Sequence, residues 1–220
     1  YGREVLTRFL ERAWRRPVTA EEVVPFMVLF AKYRPDFGTF EGAMLEVLAT
    51  VLASPEFLYL TQKKSADEAQ KPGTISDQEL ATRLSFFLWS SMPDEELLQL
   101  ARKGKLKDPV VLNSQVDRML ADPRAQRFSQ HFVEQWLGLD GLDSVTHVKD
   151  AALREAMRQE PIAFFREGLQ SNSSVMDFLH SDYVVVNERL AQHYGIPGVF
   201  GPHFRRAHSA VQTHRGGILT

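Results

Sequence analysis

The chain has 220 residues, 44% of them hydrophobic, which is enough to bury a sizeable core in one large or two small domains. Its net charge of -2, from 26 basic and 28 acidic residues, provides no overall attraction for nucleic acid or for an anionic membrane surface. Cysteine is absent, which excludes disulfides, thiolate nucleophiles, cysteine-ligated metals and a covalently attached c-type haem within this stretch.

The first 60 residues have the apolar periodicity of three helices. The predicted helices cover residues 2–16, 19–33 and 39–52. Thr19 and Glu22 form a capping-box pattern at the start of the second helix. A short segment led by Pro55 follows the third helix. These features together predict a compact three-helix module over residues 1–60.

A linker is predicted over residues 61–75, which contain almost no large apolar side chain and include a Pro-Gly pair. Immediately after it, Ser76 and Glu79 repeat the capping-box pattern, so a new helix begins there. Its predicted apolar face consists of Leu80, Leu84, Phe87 and Leu88, widened by Phe86 and Trp89. We expect this helix to be buried on most sides.

The second half of the chain has the pattern of a larger helical module. Its helices are predicted at 77–90, 94–103, 109–121, 124–138, 150–170 and 187–194. Residues 183–186 form the one β-branched run, which is too short and isolated to imply a sheet. Frequent glycine and proline from Gly195 onward predict an irregular tail. The predicted fold is therefore all-α, a multi-helix bundle of two packed helical modules with an irregular C-terminal tail.

No apolar run approaches the roughly 18 to 20 residues that a membrane-spanning helix needs. The sequence begins at Tyr1 without an initiator methionine, so we expect it to be a piece of a longer protein.

Several long motifs occur in an order that is typical of one group of secreted proteins. They are ERAWRRPVTAEEV, VLASPEFLYL, SSMPDEELLQLARKGKL, VDRMLADPRA, HFVEQWLGL, AMRQEPIAFF, YVVVNERLAQHYGI and HRGGILT. On these motifs the chain resembles the planctomycete-type proteins that combine a c-type cytochrome domain with several helical domains of unknown function. The resemblance assigns residues 1–60 to one module, 76–196 to a second and 197–220 to the start of a truncated third.

The resemblance implies an extracytoplasmic location, periplasmic or secreted, and a c-type haem on a separate domain, with no cofactor in this stretch. The implied partners are that haem-bearing domain or a redox partner protein. The resemblance is also compatible with a complex that associates with a membrane. We therefore expect an accessory, scaffold or interaction region that serves electron transfer. Two alternatives are an enzyme domain with a Glu/His/Arg site between the second module and the tail, and a subunit of a larger electron-transfer assembly.

Glu160 is the best candidate for a general acid. It precedes Pro161 near the edge of an apolar helix face, where aromatic rings disfavour the charged form of a carboxylate. The apolar face contains Leu153, Met157, Phe164 and Phe165. The structural alternative is an ion pair with one of the nearby arginines, which are Arg124, Arg127, Arg154 and Arg158. The enzyme hypothesis adds His131, His193 and Arg215 to this acid.

His131 and Gln135 are i,i+4 neighbours on one helix, so they are able to face a common ligand, although a solvated helix face explains them equally well. On the same helix, Phe128, Phe132 and Trp136 recur at a spacing of four. We interpret this aromatic stripe as core.

A metal site is one interpretation of His193, His203, His208 and His214, which fall within 22 residues. Their spacing matches no compact metal signature, so solvent-facing histidines are the alternative, with His193 complementing a helix dipole. A second hypothesis for the tail is an anion site at Arg205, Arg206, Arg215 and the Gly216-Gly217 pair, against the alternative of a simple turn.

Overall fold

The computed structural model describes residues 1–59, 75–144, 148–208 and 216–218. This part of the chain contains ten α-helices and one two-stranded sheet, which confirms the predicted all-α class. The helices are α1 Gly2–Trp14, α2 Ala20–Tyr33, α3 Phe40–Leu52, α4 Pro55–Leu58, α5 Asp77–Trp89, α6 Glu95–Arg102, α7 Pro109–Ala121, α8 Gln126–Leu137, α9 Ala151–Gln170 and α10 Glu188–Tyr194. No helix among the described residues is both long and apolar enough to cross a membrane.

The helix ends agree with the predicted ends within two residues because local capping sets them. At the start of α2, the Thr19 hydroxyl accepts from the Glu22 amide at 3.3 Å, and the Glu22 carboxylate accepts from the Thr19 amide at 3.1 Å. At the start of α5, the Ser76 hydroxyl accepts from the Glu79 amide at 3.1 Å. Aspartate carboxylates cap three further helix starts, at Asp94, Asp108 and Asp150.

The chain divides into two compact units. Unit 1 comprises Tyr1–Phe87 and Ser91–Gln115, and unit 2 comprises Leu88–Ser90 and Val116–Thr220. The module boundaries at 60 and 76 stay a prediction. The predicted linker lies outside the described residues, apart from residue 75.

The helices α1, α2 and α3 of unit 1 enclose an apolar core. Its buried members are Leu6, Leu10, Ala13, Trp14, Val23, Met44, Val47 and Val51. The Trp14 indole N–H donates to the Ser54 hydroxyl at 3.0 Å, which satisfies the one polar group that this large side chain brings into the core. The three-helix packing follows directly from the amphipathic periodicity of the sequence.

The buried face of α5 differs from the predicted face. Leu88 and Trp89 are buried as predicted, but Phe86 is 38% exposed and Phe87 is 62% exposed, so these two members of the predicted face are at the surface. The expectation that the helix is buried on most sides agrees with the structure, because its residues other than Arg83, Phe86 and Phe87 are buried or half-buried. The buried residues are Asp77, Ala81, Thr82, Ser85, Leu88 and Trp89. The Trp89 indole N–H donates to the Met119 carbonyl at 2.9 Å. Packing and this hydrogen bond decide which side of α5 faces the interior. The hydrophobicity of Phe87 does not decide it.

Unit 2 contains a small antiparallel sheet that was not predicted. Strand β1, Tyr183–Val186, pairs with strand β2, Arg205–His208, with Tyr183 opposite His208. All four β1 residues are buried, and β1 lies against α9. The expectation that β1 is too isolated to form a sheet is therefore wrong, and the tail is not irregular throughout. The partner strand is polar and mostly exposed, so its sequence lacks the apolar alternation that predicts a strand.

Candidate functional site

Glu160 lies in the middle of α9 and is half-buried. The Tyr194 hydroxyl, from the last residue of α10, donates to its Oε2 atom at 2.6 Å. The Tyr194 phenol thus gives this carboxylate a hydrogen-bond partner, and the role of Glu160 as a general acid stays a prediction. This partner of Glu160 is a tyrosine that was not predicted, in addition to the arginines that were considered. No local pattern points to this partner, because 34 residues separate Tyr194 from Glu160 in the chain.

The two predicted catalytic histidines have other neighbours in the described part of the chain. His131 is exposed on α8, and its Nδ1 atom shares a hydrogen bond of 3.2 Å with the Ser90 hydroxyl. His193 is also exposed, and its ring lies 5.3 Å from that of Tyr194. Within the described ranges, neither histidine contacts Glu160. Arg215, the fourth predicted residue, lies outside those ranges.

His203 and His208, the two described histidines of the tail, lie at separate exposed positions. His203 precedes β2, His208 ends it, and His214 lies outside the described residues. In the part of the chain that the structure describes, no three His, Cys, Asp or Glu side chains form a group that could hold a metal ion. The hypothesis of a metal site that includes His214 stays a prediction.

Two arginines of the predicted anion site already have partners in unit 2. The Arg206 Nε atom lies 2.8 Å from Glu167 Oε1, and its guanidinium lies 4.2 Å from the centre of the Tyr183 ring. Arg205 donates to the Phe200 carbonyl at 2.6 Å. Arg206 is thus neutralised by a carboxylate and stacked on a core ring. This arrangement favours a structural role, which corrects the anion hypothesis for this residue.

The aromatic stripe of α8 is partly at the surface. Phe132 is 41% exposed and Trp136 is 46% exposed, so the prediction that the whole stripe is core is wrong. Phe128 agrees with the prediction, since it is partly buried against the cluster that contains Phe165. We call the exposed pair, Phe132 and Trp136, the aromatic face.

The rings beneath the aromatic face hold it in place. Phe132 stacks on Phe165 with ring centres 5.0 Å apart, and its ring centre lies 5.7 Å from that of Trp136. Phe178 is the second supporting ring. Its centre lies 5.4 Å from that of Phe165 and 6.5 Å from that of Trp136. The 3₁₀ turn that carries Phe178, together with the residue after it, exposes further apolar side chains at Val175, Met176 and Leu179. Rigid, exposed apolar surface of this kind is typical of interaction sites.

Two family models match the chain. Residues 75–196 match PSD4, described as a protein of unknown function (DUF1592), and residues 1–62 match PSD5, described as a protein of unknown function (DUF1595). Both are domains found in planctomycete cytochrome-c-associated proteins. No curated protein and no solved structure matches the chain. Because the first match covers more than half of the 220 residues, the chain belongs to the PSD4 (DUF1592) family of proteins of unknown function.

Proposed function

We propose that this chain is an accessory interaction region of an extracytoplasmic multidomain protein, and that it serves electron transfer by binding a domain or protein that carries c-type haem. The observation that carries the proposal is the aromatic face, where Phe132 and Trp136 are each more than 40% exposed on a stacked ring support. The occurrence of both matched families in cytochrome-c-associated proteins supports the choice of partner.

The physical argument rests on how protein surfaces bind. Tryptophan is enriched among the residues that dominate binding energy, because it covers a large apolar area with few rotatable bonds. Ring contacts already restrain Trp136 and Phe132, so little side-chain entropy is lost when a partner covers them. A face of this kind favours recognition of another protein surface.

The first experiment concerns the haem. The full-length native protein should show a c-type haem spectrum, and deletion of the region that precedes Tyr1 should abolish it. Metal analysis of the same deletion variant should find no tightly bound metal. A haem spectrum that survives the deletion, or a stoichiometric metal in the remaining chain, would contradict the proposal.

The second experiment concerns the aromatic face. In a titration of this chain with the separately produced haem-bearing domain, Trp136→Ser should weaken binding by about 2 kcal/mol, or roughly 30-fold, as expected for a central aromatic anchor. Phe200→Ser is the matched control, because Phe200 is 71% exposed and makes no aromatic ring contact among the described residues. Equal effects of the two substitutions would show that the aromatic face is not the binding surface.

A further inference from the structure

Unit 1 contains a half-open cavity of about 790 Å³, a volume typical of small-molecule sites. The chain segments α1, α3 and α4 and the end of α5 form its wall. Most of that wall is apolar and includes Phe9, Leu52, Phe57, Leu58, Phe86 and Met92. Two arginines, Arg12 and Arg15, also line the cavity. An apolar wall with a small number of charged groups is the usual composition of a ligand site.

Arg15 is buried in this wall, with 5% of its surface exposed. Its φ of 59° ends α1 in the left-handed region. The guanidinium donates to the main-chain carbonyls of Glu56, Phe57 and Tyr59 at 3.0 to 3.4 Å. These carbonyls are neutral, so they satisfy the hydrogen bonds without neutralising the charge. Burial lowers the pKa of Arg15, which expresses the cost of this uncompensated cation.

Arg12 lies on the same side of α1 and is exposed. Neither Arg12 nor Arg15 forms an ion pair with any residue in the described ranges. Other arginines near this helix do have carboxylate partners, since Arg8 pairs with Glu4 and Arg16 pairs with Glu22, each at 2.8 Å. The cavity therefore combines apolar surface with two positive charges that have no counter-charge among the residues the structure describes.

We propose that the cavity binds an amphipathic anion, a molecule with an apolar body and one carboxylate or phosphate head. The apolar body contacts the aromatic and aliphatic wall at Phe9, Phe57 and Phe86. The head lies against Arg12 and near the buried charge of Arg15. An anion here supplies the missing counter-charge, while a neutral or cationic molecule of the same shape does not.

The test uses the 220-residue chain and four probes that share a ten-carbon tail. These are decanoate, decyl phosphate, 1-decanol and decyltrimethylammonium, titrated by calorimetry below their micelle concentrations. At least one of the two anions should bind about ten-fold more tightly than the alcohol and the cation, as expected for a hydrogen bond to a charged group. The tighter of the two anions identifies the head group. Anion affinities equal to that of 1-decanol, or no binding by either anion, would overturn the proposal.

Variants locate the binding to this cavity. Arg12→Gln should weaken the better anion about two- to five-fold and leave 1-decanol unchanged, whereas Arg8→Gln, on the same helix and outside the cavity wall, should change neither. Leu58 is 61% exposed on the wall, so Leu58→Glu should fold normally and shift preference from the anion toward decyltrimethylammonium. Val28→Glu, at a 63% exposed position away from the cavity, is its control. Equal behaviour of each variant and its control would overturn the proposal.

Discussion

The hydroxyl of Tyr183 is buried and has no hydrogen-bond partner among the described residues. The residue is 6% exposed, and its ring stacks on Phe164 with centres 5.0 Å apart beneath the guanidinium of Arg206. Substitution of Tyr183 by Phe keeps these ring contacts and removes only the unpaired hydroxyl. An unsatisfied buried polar group costs about 1–3 kcal/mol. We therefore expect Tyr183→Phe to raise the free energy of unfolding by about 1–2 kcal/mol.

The measurement is urea denaturation followed by tryptophan fluorescence, since Trp89 and Trp136 both lie in unit 2 with Tyr183. The midpoint should rise while the slope of the free energy with urea stays unchanged, because the surface exposed on unfolding is nearly the same. In thermal unfolding, each 1 kcal/mol should raise Tm by about 2–4 °C for a chain of this size.

Tyr194→Phe is the matched comparison within the same unit. It removes a hydroxyl that does have a partner, the Glu160 carboxylate at 2.6 Å. The free energy of unfolding should fall by about 1–2 kcal/mol, because a carboxylate loses a donor in a half-buried position. The same chemical deletion thus has opposite signs at the two tyrosines. A decrease of more than about 0.5 kcal/mol for Tyr183→Phe would refute the reasoning, since it would mean that this hydroxyl has a favourable partner.

Three further substitutions in unit 2 follow from local contacts. The pKa of Asp122 is lowered from 3.8 to about 2, mainly by a side-chain hydrogen bond from the arginine two residues on. The contribution of this carboxylate to the free energy of unfolding is present above pH 4 and is lost as the pH falls toward 2. Asp122→Asn should therefore reduce the loss of stability between pH 4 and pH 2. The reduction should be at most about 1 kcal/mol, because the ion pair with Arg124 is partly exposed. Trp89→Phe should cost about 2–3 kcal/mol in urea denaturation, since the Met119 carbonyl loses its indole donor. Gly168→Ala places a Cβ atom 3.0 Å from the Phe178 ring. The free energy of unfolding should therefore fall by up to about 2 kcal/mol, although helix propensity alone predicts that it rises.

For each of these substitutions, a specific result would contradict the prediction. Asp117 is exposed and has no ion-pair partner among the described residues, so Asp117→Asn should leave the loss of stability at low pH unchanged. If Asp122→Asn has no larger effect than Asp117→Asn, the lowered pKa of Asp122 does not contribute to stability. Gly141→Ala is the comparison for Gly168, because no atom lies within 4 Å of the added Cβ. A stabilised Gly168→Ala variant would mean that Phe178 moves aside easily. Unchanged stability of Trp89→Phe would mean that water replaces the indole donor.

The environment of the candidate residues was only partly predictable from the sequence. The position of Glu160 at the edge of the apolar face of α9 was predictable, because both the helix and its face follow from periodicity. Its hydrogen bond to Tyr194 was not, since 34 residues separate the two. The sequence likewise grouped His131, His193 and Glu160 by chemical type, whereas the contacts described for them are with Ser90 and Tyr194. The exposure of Phe132 and Trp136 depends on what covers α8, which the stripe itself does not specify.

The sequence by itself determined the helices and their ends. Capping hydrogen bonds, such as those between Thr19 and Glu22 or from Glu79 to Ser76, span only three residues, so their information is local. Tertiary structure alone decided which side of α5 is buried, whether β1 finds a partner strand, and which polar groups meet. Those outcomes depend on contacts between residues far apart in the chain, such as the indole of Trp89 with the carbonyl of Met119, and periodicity within one segment carries no information about them.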